Sequence, residues 1–254
     1  GNIYNSLFAK NRKVEYDNKD IALVNIRTNP DNQIFRAMDD DEDIRILAED
    51  IKRNGLMHNL VVFPEQEEGS AVYVLLSGER RFRALNYLQE KGDATWNIVN
   101  CNVVTTPLTE NEKKVLLYSA NLQVRGGFSD EAIRRQAIAE FITCLQREPY
   151  NMSREEALNA TKIVSTVNPR TIERDARIEE KLKGKLKTLL NDKFLTRSEC
   201  ETYLRFEADK QDEIANRFEK LQAVDCHSDD TESAGKNYVE VLRDTLHDAF
   251  RELL

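Results

Sequence analysis

Apolar and polar positions follow two regimes along the chain, and the change falls near residue 108. Before it, short apolar runs are separated by turn residues. Ile21-Ala22-Leu23-Val24-Asn25-Ile26 reads as a strand closed by a turn at Asn29-Pro30-Asp31. Ile44, Leu47, Ala48 and Ile51 recur at helical spacing, with Gly55 placed where a left-handed residue would end the helix. Leu60-Val61-Val62-Phe63 and Val72-Tyr73-Val74-Leu75-Leu76 predict two strands joined by a polar loop from Glu65 to Ser70. The second strand runs directly into Ser77-Gly78-Glu79. Phe82, Leu85 and Leu88 then begin a helical stripe that stops before Gly92. A further strand is predicted from Ile98 to Val104, ahead of Pro107.

After Thr109 the period is helical throughout. Thr109 with Glu112, and Ser153 with Glu156, have capping-box spacing. Ser129 is the expected cap of a long helix carrying Ile133, Ile138, Phe141 and Leu145, which Pro149 interrupts. Asn168-Pro169 predicts another start, an N-cap followed by proline at the first helical position. Thr196 to Glu199 begins one more helix. The pattern divides the chain into a polar, flexible arm (1–20), a small α+β domain (21–108), a helical domain (109–224), and a linker with a final amphipathic helix (225–254). Leu242, Leu246, Ala249, Phe250 and Leu253 form the stripe of that last helix, which either packs on its own domain or mediates dimerisation.

Composition changes little in this picture. The 254 residues are 40% hydrophobic and 32% charged, with 9 Gly and 5 Pro, as in a helix-rich globular protein. No apolar run reaches membrane-span length, and no charged-then-apolar leader opens the chain at Gly1, so a cytoplasmic protein is expected. A net charge of −8 argues against a protein that coats nucleic acid without specificity, while leaving room for one basic face. Cys101, Cys144, Cys200 and Cys226 form no close pair, and with His58, His227 and His247 they show no zinc-ligand spacing.

The chemistry concentrates at Ser77-Gly78-Glu79-Arg80-Arg81, between a strand and a helix. A glycine there lets the backbone approach a ligand, and the helix start presents N–H groups and a positive dipole end to an anion. Arg80, Arg81 and, farther on, Arg83 add forked donors matched to phosphate oxygens. By themselves these residues also fit a solvated or ion-paired surface.

The order of segments narrows the reading. Asn29-Pro30-x-x-Gln33-x-x-Arg36, then Ile51-Lys52-Arg53-Asn54-Gly55-Leu56, then Gly78-Glu79-Arg80-Arg81-Phe82-Arg83-Ala84, then Asn121-Leu122-Gln123 resembles the ParB family of partition proteins over roughly residues 21 to 205. The resemblance implies an N-terminal ParB-like (sulfiredoxin-like) α+β domain followed by an all-α helix-turn-helix domain. It implies a clamp that binds CTP and Mg²⁺, loads on a specific double-stranded DNA site, closes as a homodimer, and works with a ParA-like ATPase at a nucleoid or plasmid. On this resemblance Ser77, Gly78, Glu79, Arg80, Arg81 and Arg83 would hold the triphosphate. Asn121 and Gln123 would serve a second phosphate and the metal, with Asn121 as metal ligand, and Gly55 to Leu60, including His58, would enclose the base. Glu79 is the candidate catalytic group.

Three positions depart from the family pattern. Ala120 stands where a glutamate is expected, Val124 where an arginine is expected, and His58-Asn59 where Gln-Pro is expected. Alanine offers neither oxygen ligand nor base, so nucleotide binding without efficient CTP hydrolysis is expected.

For DNA, Ser153 to Val164 and Asn168 to Glu180 predict the two helices of a helix-turn-helix within 153–181. Arg170, Thr171 and Arg174 fall in the first turns of the second helix, where a recognition helix reads base edges. Lys162 and Lys181, Lys183, Lys185 and Lys187 suit phosphates, and Ser165, Thr166 and Asn168 in the connection complete the candidate set. An ordinary helical pair with a charged face fits the same pattern. Two further functions stay open. One is a DNA-binding regulator whose nucleotide pocket is degenerate, favoured by Ala120 and Val124. The other is a nucleotide-using enzyme, such as a small-molecule kinase with Glu79 as base. A sulfiredoxin would need a nucleophilic cysteine where Ser77-Gly78-Glu79 stands.

Overall fold

The structure, a computed structural model, describes residues 13–36, 40–67, 70–124, 128 and 130–225. It contains two compact units. The first holds the described residues up to Ile133 together with Glu140–Pro169. The second holds Arg134–Ala139 and the described residues from Arg170. The expected C-terminal helix, and residues 1–12 of the expected arm, lie outside the described residues.

The first unit is built on a mixed five-stranded sheet. Its elements begin with β1 (Tyr16–Ala22), a 3₁₀ turn (Leu23–Asn25), β2 (Ile26–Arg27), a second 3₁₀ turn (Pro30–Asn32), α1 (Gln33–Arg36) and α2 (Asp41–Asn54). There follow β3 (Leu60–Glu67), β4 (Ser70–Ser77), α3 (Glu79–Glu90) and β5 (Ile98–Val104). The strand order is β1-β5-β3-β4-β2, with β1–β5 and β3–β4 antiparallel, and β3–β5 and β2–β4 parallel.

The strand expected over residues 21–26 is interrupted. β1 begins at Tyr16, inside the stretch read as arm, because its seven residues pair with β5 from Tyr16↔Val104 to Ala22↔Ile98. Leu23 to Asn25 turn, and the chain crosses to the far edge, where Ile26 pairs with Tyr73. A polar, solvent-exposed edge strand carries little apolar alternation, so its pairing partner, not its own pattern, defines it. β3 also runs on to Glu67, through most of the loop expected after Glu65.

α2 and α3 cover one face of the sheet. Ile44, Ala48 and Ile51 of α2 and Phe82, Leu85 and Leu88 of α3 share a core with Ile21, Leu60, Val62, Leu75, Val99, Cys101 and Val103. Asp40 caps α2 by accepting from the Asp43 N–H, and Gly55 ends it at φ 78°. On the other face, α4 (Glu110–Val124) packs over the β3–β4 side, where Lys113 Nζ lies 4.3 Å from the Phe63 ring centroid. Thr109 and Glu112 form the expected box at its start. α5 (Glu131–Gln146) is capped by Asp130, which accepts from the N–H groups of Ala132 and Ile133. Ser129, expected in that role, lies outside the described residues. α6 (Arg154–Val164) carries the capping box of Ser153 and Glu156.

The second unit contains α7 (Pro169–Lys181) from Arg170 onward, α8 (Gly184–Asn191), α9 (Arg197–Tyr203) and α10 (Ala208–Asp225). Its core gathers Ile178, Leu182, Leu186, Leu189, Leu190, Leu195, Cys200, Tyr203, Ile214 and Ala215. Beside it is a buried ionic group. Arg134 Nε donates to Asp175 Oδ2 at 2.7 Å, and Asp175 is fully buried. Arg135, 1% exposed, donates from Nη2 to Asn191 Oδ1 at 2.7 Å and places Nε 3.5 Å from Glu179 Oε1. Lys187 forms a second ion pair with Glu179. Among the described residues no helix is long and apolar enough to cross a membrane.

Candidate functional site

β4 ends at Ser77, and Gly78 turns the chain into α3. Gly78 has φ 105°, outside the range an L-residue adopts easily. A Cβ placed there would stand 2.7 Å from Leu60 Cδ2 and 3.3 Å from Arg81 Nη2. No side chain caps the helix at this point. Its first-turn backbone and dipole therefore face the same space as the glycine.

The side chains that follow diverge. Glu79 is buried and Arg80 is exposed. Arg81 bends back, and its Nη1 donates to the carbonyl oxygens of His58 and, at 3.0 Å, Asn59. Burial lowers the pKa of its guanidinium from the ordinary arginine value. Arg83 reaches the start of α2, with Nη2 3.5 Å from Asp41 Oδ1. Of the arginines expected at phosphate, one thus grips the loop expected to enclose the base, and another meets an acidic helix start.

Gly55 donates its N–H to Ile51 O at 2.9 Å and opens the loop toward β3. His58 is exposed. Asn59, just before β3, donates from Nδ2 to Asn100 Oδ1 at 2.8 Å.

Asn121 and Gln123 lie in the last turns of α4. Asn121 Nδ2 donates to Leu117 O at 3.0 Å and to Asn32 Oδ1 at 3.2 Å. Asn32 is buried in the turn that Asn29 caps by accepting from the Asp31 N–H at 2.9 Å, and Lys114 pairs with Asp31 at 3.2 Å. The Asn29-Pro30 segment and the Asn121 segment are therefore joined by a side-chain bond. Gln123 Nε2 is buried with no hydrogen-bond partner among the described residues. Such an unmatched donor suits an acceptor oxygen. The metal fit is poorer. Ala120 contributes no oxygen, and the described residues hold no group of three His, Cys, Asp or Glu placed to bind an ion.

Sequence reasoning passed over Asn32 and Asn100. The signal for Asn100 was present in Val99-Asn100-Cys101-Asn102-Val103, where amides alternate with core residues and so mark the more exposed side of the strand. Cys101 is fully buried, and burial, with Asp20 adding to it, pushes its pKa up to about 11.

The candidate DNA residues fall in two groups. In the first unit, Ser165 Oγ accepts from the Val167 N–H at 3.1 Å. Thr166 donates to Leu122 O from its N–H at 3.2 Å and from Oγ1 at 3.4 Å, and Ser165 Oγ reaches the same carbonyl at 3.5 Å. These two residues thus satisfy a carbonyl at the end of α4, between Asn121 and Gln123. Lys162 is partly exposed and Asn168 exposed. In the second unit, Arg170 is exposed and Thr171 partly so. Arg174 is held in a two-pronged pair with Glu201, Nε to Oε1 at 2.8 Å and Nη2 to Oε2 at 3.0 Å. Arg177 shares Oε1 at 3.1 Å. The hydrogen bond from Arg174 holds the Glu201 carboxyl below the ordinary carboxylate range. The pairing is therefore present at neutral pH and is lost only as pH falls through that lowered value. Lys185 Nζ donates to Asn216 Oδ1 at 2.9 Å, while Lys181 and Lys183 are exposed.

Comparison with known proteins agrees with this frame. Residues 7–112 match the ParB N-terminal domain. No curated protein matches the chain. Among solved structures, the C2221 form of a pNOB8-like ParB N-domain is 12% identical, with 95% of this chain and 97% of that one covered and a TM-score of 0.50. A second pNOB8-like ParB N-domain structure is 10% identical, covering 96% and 98%, with a TM-score of 0.44. The C-terminally truncated chromosome-partitioning protein ParB from Caulobacter crescentus, complexed with CTP-gamma-S, is 19% identical, covering 79% and 97%, with a TM-score of 0.33. The mixed sheet and its glycine-to-helix turn thus fall within residues 7–112, the part of the chain that matches the ParB N-terminal domain.

Proposed function

We propose that the protein is a partition-type DNA-binding protein gated by a nucleoside triphosphate, with CTP the expected nucleotide. The observation that carries this reading is the Gly78 turn. A φ of 105° and the absence of room for a Cβ give the chain a backbone cradle at the start of α3, within a ParB N-terminal domain. Ser77, Gly78 and Glu79 with Arg80, Arg81 and Arg83 would line the phosphate side. Asn121 and Gln123 would face a second phosphate, and Asn121 would be the ligand for any Mg²⁺ bound with it. Gly55 to Leu60, with His58, would lie on the base side. Bound CTP would supply the dense negative charge that these donors can neutralise. The chain's own part is to orient it, with Gln123 Nε2 as an available donor. A ParA-like ATPase and a second copy of the chain are the expected partners, with a nucleoid or plasmid as the place of action.

Turnover is a different matter. With Ala120 in place of a carboxylate, no base from that position can take a proton from water. Calorimetric titration with CTP, ATP and GTP, with and without duplex DNA, should show CTP binding, and a phosphate-release assay should stay at background. Rapid CTP hydrolysis would overturn the assignment of Ala120. Specific DNA binding with no nucleotide binding would favour the degenerate-pocket reading, for which the Arg81 contacts to His58 and Asn59 speak. Phosphorylation of a small molecule without DNA binding would favour a kinase using Glu79.

For DNA, the proposal takes α6 and α7 as the two helices of a helix-turn-helix. Lys162, Ser165, Thr166, Asn168, Arg170, Thr171 and Arg174 are proposed to contact the duplex. The bonds from Ser165 and Thr166 to Leu122 O support gating, because they tie the connection between these helices to the Asn121–Gln123 segment. Arg174 must leave Glu201 to reach DNA. Glu201→Gln should therefore tighten duplex binding, measured by fluorescence anisotropy, and steepen the log affinity against log salt slope by about one. An unchanged slope would place Arg174 away from the DNA.

A further inference from the structure

The sheet face that carries Asn100 holds a line of polar side chains that leads to the candidate site. β5 sends Val99, Cys101 and Val103 into the core and Asn100 to the opposite face. Asn100 stands directly across from Asp20 of β1, and its Nδ2 donates to Asp20 Oδ1 at 2.9 Å. Asn100 Oδ1 accepts from Asn59 Nδ2 at 2.8 Å, and Asn102 Oδ1 lies 3.5 Å from the same nitrogen. The carbonyl of Asn59, with that of His58, accepts from Arg81. Residues 58 and 59 are thus held from the sheet side by Asn100 and from the pocket side by Arg81.

Apolar packing holds the loop near its two ends, through Leu56 against the sheet core and through buried Leu60. It leaves α2 through Gly55 at φ 78°, and a Cβ there would meet nothing within 4 Å. Met57 is 77% exposed, so apolar burial does not anchor the middle of the loop. Leu60, fully buried, fixes only the far end. Polar bonds through Asn59 therefore set where the intervening carbonyls lie. The ladder does not set the sheet itself, because seven backbone pairs already register β1 on β5.

We propose that Asn100 is a positioning residue for the nucleotide pocket. Acting through Asn59, it places the carbonyls that Arg81 grips, and so the loop from Gly55 to Leu60 on the base side. The inference rests on the nucleotide reading above. It predicts that Asn100 matters for the nucleoside part of the ligand and not for the phosphates.

Two variants test it. Asn100→Ala removes both side-chain bonds. The double variant Asp20→Asn with Asn100→Asp retains both, because Asn at 20 donates to Asp at 100, which still accepts from Asn59. Hydrogen exchange of the 55–60 backbone amides and calorimetric binding of CTP and inorganic tripolyphosphate are measured on each full-length chain. Asn100→Ala should speed exchange in 55–60 and weaken CTP by about 3- to 10-fold, the usual scale of one net hydrogen bond, with tripolyphosphate affinity unchanged. The double variant should restore both readouts. Equal loss for CTP and tripolyphosphate, wild-type exchange in Asn100→Ala, or failure of the double variant to rescue would each overturn the proposal. A wild-type chain that binds neither ligand overturns the nucleotide reading and the pocket role with it. Failure of the positioning role alone leaves wild-type CTP binding intact.

Discussion

Asp175→Ala is expected to cost about 3–5 kcal/mol of stability, because removing one partner of a buried pair strands the other charge. Asp175 is fully buried on α7 and accepts from Arg134 Nε at 2.7 Å, with Arg197 Nη1 3.8 Å from its other oxygen. Without the carboxylate, Arg134, whose side chain is 11% exposed, would lose its 2.7 Å partner, and the more exposed Arg197 would lose a contact at 3.8 Å. A loss of this size is a large part of the roughly 5–15 kcal/mol that holds a typical domain. Urea unfolding followed by far-ultraviolet circular dichroism should show the shift. Trp96, the chain's one tryptophan, packs against the core of the first unit, so its fluorescence reads that unit and should move less. Arg134→Met with Asp175→Leu should recover much of the loss, as apolar replacement of both partners often does. A cost under about 1 kcal/mol for Asp175→Ala would mean that the pair is solvated in practice.

Gly78→Ala is the second large effect, and it acts on fold and pocket together. The substitution forces an L-residue to φ 105° and sets its Cβ 2.7 Å from Leu60 Cδ2. Leu60 Cδ2 is the far end of a side chain, yet Leu60 is fully buried against Val62, Leu75 and their neighbours, so it has little room to yield. Backbone strain and overpacking together predict a loss of about 2–4 kcal/mol. Trp96 fluorescence in urea measures it. Gly78→Ala with Leu60→Val should recover only the packing part, because shortening Leu60 leaves φ unchanged. Any of the variant that remains folded should bind CTP at least about tenfold more weakly, since the added methyl group lies beside Arg81 Nη2. Wild-type stability and wild-type CTP binding in this variant would remove the cradle from the site.

The two substitutions differ in how far sequence alone points to them. Gly78 was legible because a glycine between an apolar strand and an arginine-rich helix has few other uses. Asp175 was not. It sits in Glu173-Arg174-Asp175-Ala176-Arg177, a string of charges that reads as a solvated helix face. Only the packing of Arg134 against it shows that this aspartate turns inward. Arg174 is a similar case. Its place in the first turns of α7 suggested DNA, and its forked pairing with Glu201 on α9 could not be read from spacing.

Local rules are enough where the interacting groups are a few residues apart. Gly55 and Gly78 at positive φ, the boxes Ser153–Glu156 and Thr196–Glu199, and Pro169 opening α7 all follow from side chains acting within one turn of backbone. The sequence by itself therefore determined most helix starts, the three inner strands, and the glycine turn that marks the candidate site. The rest depended on partners distant in the chain. β1 exists because β5 supplies its hydrogen bonds, and Arg81 turns to carbonyls 22 and 23 residues away. Asn121 meets Asn32 across 89 residues. Tertiary structure decided these pairings because a polar side chain takes whichever donor or acceptor the folded chain brings to it. That choice leaves no periodic trace in the order of residues.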